Sequence, residues 1–232
     1  MIPAARPDIR EVDVENAIRV IRSGNLAQGD EVQLFEREFS QLAVEGAHSI
    51  AVNSGTSALH LALVALGVGP GDEVVVPSFT FAATANSVAF TGATPVFADI
   101  NPSTFTICPE SVSAAISSNT RGVVPVHLYG QPADLSSLSR ICEDNGIWLL
   151  EDAAQAHLAA WEGKHVGTWG VAAAFSFYPT KNMTSGEGGM VTTRSPDIAK
   201  TLKLLRNQGQ ERRYENEIVG LNNRMTDIHA AI

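Results

Sequence analysis

The sequence predicts a three-layer α/β/α fold built around a mostly parallel sheet. Short apolar runs alternate along the chain with longer segments of helical period, the pattern of strands joined through crossover helices. The apolar runs are continuous, as expected of strands covered on both faces. The 232 residues, 44% of them hydrophobic and 18% charged, supply enough apolar material for a substantial core.

The elements follow in order. Residues 1–45 differ in character from the rest and form an N-terminal segment, with 46–232 as the large domain. Glu31–Phe39 (EVQLFEREF) has the period of an amphipathic helix and follows a loop at Ser23–Gly29. Ser49–Val52 (SIAV) reads as a buried strand, and Thr56–Leu66 as a helix with leucine and alanine at helical spacing. Gly69-Pro70-Gly71-Asp72 turns the chain into a strand at Val74–Val76. Phe81–Phe90 is helical, Thr94–Ala98 a strand and Pro109–Ser117 a helix. Val123–Val126 (VVPV) reads as a strand, Leu135–Asn145 as a helix stopped by Gly146, and Ile147–Leu150 as the next strand. Ala172–Phe177 and Met190–Thr193 complete the strands, before a helix from Pro196 to about Asn207. Residues 225–232 read as the opening turns of one more helix, with no cap and no glycine stop.

Composition removes several function classes. Sixteen basic residues against 25 acidic ones give a formal charge of −9, which argues against a nucleic-acid surface. No run of 18 apolar residues exists, so no membrane span is expected. Arg6, Asp8, Arg10 and Glu11 stand where a signal peptide would need an apolar stretch. Cys108 and Cys142 form no CxxC pair, which leaves two reduced thiols in a cytoplasmic protein as the expectation. Asn182-Met183-Thr184 matches a glycosylation sequon by chance on that reading. No HExxH or GxxxxGK[ST] is present, the histidines lack ligand spacing, and no metal is expected. Gly67-Val68-Gly69-Pro70-Gly71 follows a helix and precedes a strand, the reverse of a dinucleotide fingerprint, and reads as a turn.

Three segments carry chemistry. Asn53-Ser54-Gly55-Thr56-Ser57-Ala58 lies between a strand and the helix it opens. Free N–H groups and hydroxyls there suit a phosphate dianion, and equally a plain Ser or Thr helix cap. Glu151-Asp152-Ala153-Ala154-Gln155 follows the strand Ile147–Leu150 directly. A carboxylate at that strand end can bind a protonated ring nitrogen, such as the pyridinium of pyridoxal phosphate, or cap a helix. Phe175-Ser176-Phe177-Tyr178-Pro179-Thr180-Lys181-Asn182 sets a lysine after an aromatic strand end and before Gly186-Glu187-Gly188-Gly189. A tight, partly apolar setting lowers a lysine pKa and favours Schiff-base chemistry.

SGT, EDAAQ and SFYPTKN with GEGGM, in that order, resemble the DegT/DnrJ/EryC1/StrS sugar aminotransferases, which are fold-type I pyridoxal-phosphate enzymes. The resemblance covers essentially the whole chain. It extends to Ser23-Gly24, Pro77–Thr84, Val126-His127-Leu128-Tyr129-Gly130, Leu205-Arg206-Asn207 and Asn222-Asn223-Arg224-Met225. It implies that Lys181 forms the internal aldimine and moves the proton. Asp152 then keeps the pyridine nitrogen protonated, Gln155 lies beside the phenolic oxygen, and Phe81 stacks on the ring. Ser54, Gly55, Thr56 and Ser176 match the phosphate cradle. Asn222 matches an asparagine that reaches the phosphate of a neighbouring subunit, which implies a homodimer with shared sites. His157, Tyr178, Glu187 and Arg224 fall on the substrate side, Arg224 facing either the donor's carboxylate or an interface ion pair.

The implied reaction moves an amino group from an amino acid, L-glutamate or L-glutamine, to a keto sugar, typically nucleotide-linked. A pyridoxamine-dependent sugar dehydratase and a non-catalytic regulatory homologue of the same fold are the competing readings. Three residues depart from the family pattern: Leu158 where many relatives have glycine, Gln208 where many have histidine, and His229 where glutamine is common. Relatives also continue past the Asn-x-Arg-Met segment into a smaller C-terminal domain, so the chain is expected to be a truncated form.

Overall fold

A computed structural model describes residues 5–232. The chain opens with two helices, α1 (Glu11–Ser23) and α2 (Asp30–Leu42), and then enters the sheet at β1 (His48–Val52). Next come α3 (Gly55–Ala65), β2 (Glu73–Pro77), α4 (Ala83–Ala89), β3 (Thr94–Ala98), α5 (Pro109–Ala115) and β4 (Thr120–Val123). The second half runs through α6 (Leu135–Asn145), β5 (Trp148–Asp152), the short hairpin β6 (Ala160–Trp161) and β7 (Lys164–His165), then β8 (Ala172–Ser176) and β9 (Gly189–Thr193). It ends with α7 (Pro196–Leu205), a second hairpin of β10 (Gln210–Arg212) and β11 (Glu215–Asn216), and α8 (Asp227–Ala231).

The main sheet has the order β1-β9-β8-β5-β4-β2-β3. β3, β2, β4, β5 and β8 pair in parallel. β9 is antiparallel to both β8 and β1, so six strands share one direction and β9 alone opposes them. Successive side chains on these strands enter two different cores, because a strand alternates faces. Val75, Leu149, Ala173, Phe175 and Met190 join the core under α2, α5 and α6, with Phe39, Val112, Leu135 and Leu138. Ile50, Val74, Val76, Leu150, Ala174 and Val191 join the core under α3 and α7, with Leu59, Leu63 and Leu202. Two buried faces explain the continuous apolar runs.

The carboxyl ends of β1, β5 and β8 meet along one edge of the sheet, where α/β sheets place their ligands. The edge strand β1 is fixed by an ion pair. Arg206 donates to the carbonyl oxygen of Ala51 (2.6 Å) and to Glu36, while Glu36 accepts from the Ala51 N–H (2.8 Å). The Arg206–Glu36 pair thus occupies both backbone groups of Ala51, which an added strand would use. The last segment locks onto the same edge: Asn53 N–H donates to the Asn223 carbonyl at 2.9 Å.

The structure corrects the expected elements in three places. The strand expected at Val123–Val126 lies earlier, at Thr120–Val123. Pro125 has no N–H to continue the ladder, and Val126 keeps only an isolated bridge to Asp152. The helix expected from Phe81 begins at Ala83, which leaves Phe81 in the preceding turn. One helix was expected before residue 45, and α1 is a second. Residues 225–232 do form a helical turn, capped by Thr226, whose hydroxyl accepts from the His229 N–H at 3.3 Å.

Candidate active site

The first side of the site is the start of α3. Ser54 caps it, its Oγ accepting from the Ser57 N–H at 3.1 Å. The cap reading is therefore correct, and it does not exhaust the loop. The N–H groups of Gly55 and Thr56 belong to the first turn, which has no carbonyls behind it to receive them. They are open donors at the positive end of the helix, a geometry that suits an anion. Ser176, last residue of β8, closes the cradle: a Cβ on Gly55 would stand 2.7 Å from Ser176 Cβ. A Cβ on Gly189 would meet the Ser54 carbonyl at 2.3 Å, so the GEGGM run keeps β9 thin where the loop crosses it.

Asp152 ends β5 and is 5% exposed. No helix follows, so it is not a helix cap. Its Oδ2 accepts from Thr84 Oγ1 (2.8 Å) and its Oδ1 from the Ala154 N–H (3.2 Å). Burial pushes this carboxyl above its usual range; the two hydrogen bonds and the Lys181 charge pull the other way. Lys181 sits half-buried on the 177–188 loop. Burial holds its amine below the usual lysine range, and Asp152 opposes that shift.

Ser54, Gly55, Thr56, Phe81, Asp152, Gln155, Ser176, Tyr178, Lys181 and Glu187 line one cavity of about 590 Å³. Phe81 projects over it, 73% exposed. Gln155, which also lines the cavity, is held through its Oε1, which accepts from the Tyr129 N–H at 2.7 Å.

Arg224 and His157 do not line this cavity, and neither does Asn222, which was expected to serve a neighbouring copy. Arg224 donates to Asn207 Oδ1 at 2.7 Å. Asn222 is exposed, its backbone bridged to Asn207. His157 lies beneath the lysine loop, its ring 5.5 Å from those of Phe175 and Phe177. Burial, with the Lys181 charge adding to it, pushes the His157 imidazole down to about 4. Leu158, beside it, has φ +61°, a left-handed conformation that suits the glycine expected there.

Sequence patterns assign no separate role to Thr84 or to the pair Glu151 and His127. Thr80 and Thr84 share a hydrogen bond at 3.3 Å, and their i, i+4 spacing was the available signal. Glu151 points away from the cavity and is fully buried. It accepts from the N–H groups of Gly167 (2.8 Å), Trp169 (2.8 Å) and Gly170 (2.9 Å), and pairs with His127 Nε2 at 3.2 Å. His127 Nδ1 accepts from the Ala133 N–H at 3.1 Å, so the ring proton sits on Nε2 and points at Glu151. No helix among the described residues is long and apolar enough to cross a membrane.

Known proteins are similar to this chain in sequence and in fold. The chain is 50% identical over 187 residues to GDP-perosamine synthase of Caulobacter vibrioides, matching 80% of this chain and 50% of that one. It is 43% identical to dTDP-3-amino-3,4,6-trideoxy-alpha-D-glucose transaminase of Streptomyces venezuelae, over 100% of this chain and 61% of that one. The chain therefore spans about half to three-fifths of these relatives. The crystal structure of S. venezuelae DesV in complex with a ketimine intermediate superposes with a TM-score of 0.90 at 44% identity, over 94% of this chain and 59% of that one. A model of the DegT/DnrJ/EryC1/StrS aminotransferase family matches residues 7–232, and the chain belongs to that family.

Proposed function

We propose that this chain is the cofactor-binding part of a pyridoxal-phosphate-dependent aminotransferase. It would move an amino group from L-glutamate or L-glutamine to a nucleotide-linked keto-deoxysugar. One observation carries the reading: a single cavity joins a half-buried lysine, a buried carboxylate and a glycine-gated helix N-terminus. Those groups fit the three polar ends of pyridoxal phosphate. The N–H groups of Gly55 and Thr56, with Ser54 and Ser176, would hold the phosphate. Asp152 would face the ring nitrogen, and the Gln155 amide would donate to the phenolic oxygen. Phe81 would cover the ring face and keep water from it.

When bound, the cofactor supplies an electron sink for the carbanion at the amino acid's Cα. Asp152 must be ionised to hold a proton on the ring nitrogen, and Thr84 and Ala154 favour that ionised form. Lys181 must be uncharged to accept a proton, and its burial favours the free amine. Its Nζ would take the proton from the amino acid's Cα and deliver it to the cofactor carbon C4′, and would move a proton in the opposite sense when the acceptor is aminated. The names of the GDP- and dTDP-sugar relatives support the acceptor class. A homodimer belongs to the same reading: Asn222, exposed outside its own cavity, would reach the cradle of a neighbouring copy.

Absorption spectroscopy tests this. Protein loaded with pyridoxal phosphate should show the Schiff-base band in the near-ultraviolet to visible range. L-glutamate should bleach it, and a keto sugar should restore it. Lys181→Ala should lack the band. A wild-type protein with no band, or a band that survives Lys181→Ala, would refute the proposal. Sedimentation should give the mass of two chains.

A further inference from the structure

We propose that the sugar ring of the acceptor is held in a second hollow, with Tyr129 as its platform and Asn182 as its hydrogen-bonding rim. This rests on the aminotransferase reading and names where the acceptor binds. The hollow has a volume of about 530 Å³ and is lined by Tyr129, Gln155, Thr180, Lys181 and Asn182. It shares Gln155, Thr180 and Lys181 with the cofactor cavity, so it opens directly on the reactive amine.

Its chemistry selects the ligand. Apart from Lys181, every lining side chain is neutral, and each carries a hydroxyl or an amide. Such groups both donate and accept, as a ring of hydroxyls requires. A carboxylate would call for a guanidinium fork, and none lines this hollow. Tyr129 supplies the apolar element. Its side chain is 77% exposed, and an exposed aromatic ring offers a flat apolar face to the C–H side of a pyranose.

The backbone shows that Tyr129 is deliberately presented. It lies at φ +54°, ψ +24°, a conformation that costs a bulky residue energy and persists only where the surroundings impose it. The surroundings here are specific. Tyr129 N–H is held by Gln155, and Gln131 N–H by the Leu128 carbonyl at 3.0 Å. At the base of the turn, the His127 ring is fixed between Ala133 and Glu151. The turn that carries the platform is thereby tied to the strand that carries Asp152, so ring and reacting centre keep a fixed relation.

Two second-order rate constants test the assignment on the amino form of the loaded enzyme. One acceptor is a dTDP- or GDP-linked 4-keto-6-deoxyhexose, the other 2-oxoglutarate, which has no ring. Tyr129→Ala and Asn182→Ala should each lower the ratio of sugar to oxo-acid reactivity about tenfold or more, while Tyr129→Phe keeps the ratio within about twofold. Calorimetry with the corresponding nucleotide hexose, bearing hydroxyl in place of keto, should show weaker binding to cofactor-free Tyr129→Ala by a similar factor. A ratio within twofold of wild type in either alanine variant overturns the assignment. If wild type fails to exchange with L-glutamate at all, the aminotransferase reading falls first and this one with it.

Discussion

Thr84 Oγ1 donates to Asp152 Oδ2 at 2.8 Å, in a bond shielded from water. Only the ionised carboxylate gains fully from that donor, and Asp152 has few others, because burial alone would keep it protonated. Hydrogen bonds to charged groups contribute about 1.5–3 kcal/mol, and losing this one favours the protonated acid. Thr84→Val should therefore raise the Asp152 pKa further, and the acid limb of kcat/KM should move to higher pH. Activity lost at neutral pH should return as pH rises. Thr84→Ser, which keeps the hydroxyl, should stay near wild type.

Gly55 is needed for a different reason, the closeness of α3 to β8. Adding a methyl at 2.7 Å from Ser176 Cβ forces backbone apart, because neither atom is the end of a flexible chain. Gly55→Ala should cost about 1–3 kcal/mol of stability through overpacking. It should also weaken pyridoxal phosphate binding about tenfold or more, since the displaced N–H groups are those of the cradle. Equilibrium dialysis of the cofactor, with thermal unfolding beside it, separates the two effects.

The parallel strands and the residues at their ends were legible because both faces of the sheet are buried. SIAV, IWLL and the Ala172–Phe177 run are apolar except at Ser49 and Ser176, and the chemistry-bearing residues lie at their ends or directly after them. What escaped depends on side-chain direction or on tertiary context. Val14, Ile18 and Ile21 of α1 remain 39–56% exposed, so their spacing did not mark a buried face. Thr84 resembles any threonine near a helix start until the fold brings Asp152 to it from 68 residues away. The left-handed backbone of Tyr129 leaves no trace in residue type, since tyrosine has no preference for it. Glu151 was read together with Asp152, yet adjacent strand residues face opposite sides. One enters the cavity and the other anchors the 167–170 turn.

That anchoring predicts a structural phenotype for Glu151. Its carboxylate satisfies three backbone N–H groups and the His127 ring. Glu151→Ala would leave all four donors buried without an acceptor, and each such donor costs about 1–3 kcal/mol before relaxation or water entry. A net loss of about 3–5 kcal/mol is expected, as for breaking a buried charged network. Urea unfolding of the variant should show a midpoint far below wild type. Cofactor binding should fall only in step with the folded fraction.

His157 gives the protein an acid sensitivity of known sign. Its two ring nitrogens are buried, and burial pushes its pKa down to about 4 against the opposing pull of Asn182 and the Ser176 backbone. In the unfolded chain the ring titrates near the ordinary histidine value of about 6.5. Above that value both states hold a neutral ring, and the group adds no pH dependence. As pH falls from about 6.5 toward 4, the unfolded chain binds a proton that the folded protein refuses, and stability drains away through that window. The shift corresponds to a loss of about 2–3 kcal/mol across it. His157→Phe removes the titrating group while keeping an aromatic ring between Phe175 and Phe177. The variant's stability relative to wild type should be flat above pH 6.5 and improve steadily below it. Urea unfolding at pH 7.5, 6, 5 and 4.5 reads that difference directly. A difference that does not change with pH would mean that the folded protein tolerates a charged His157.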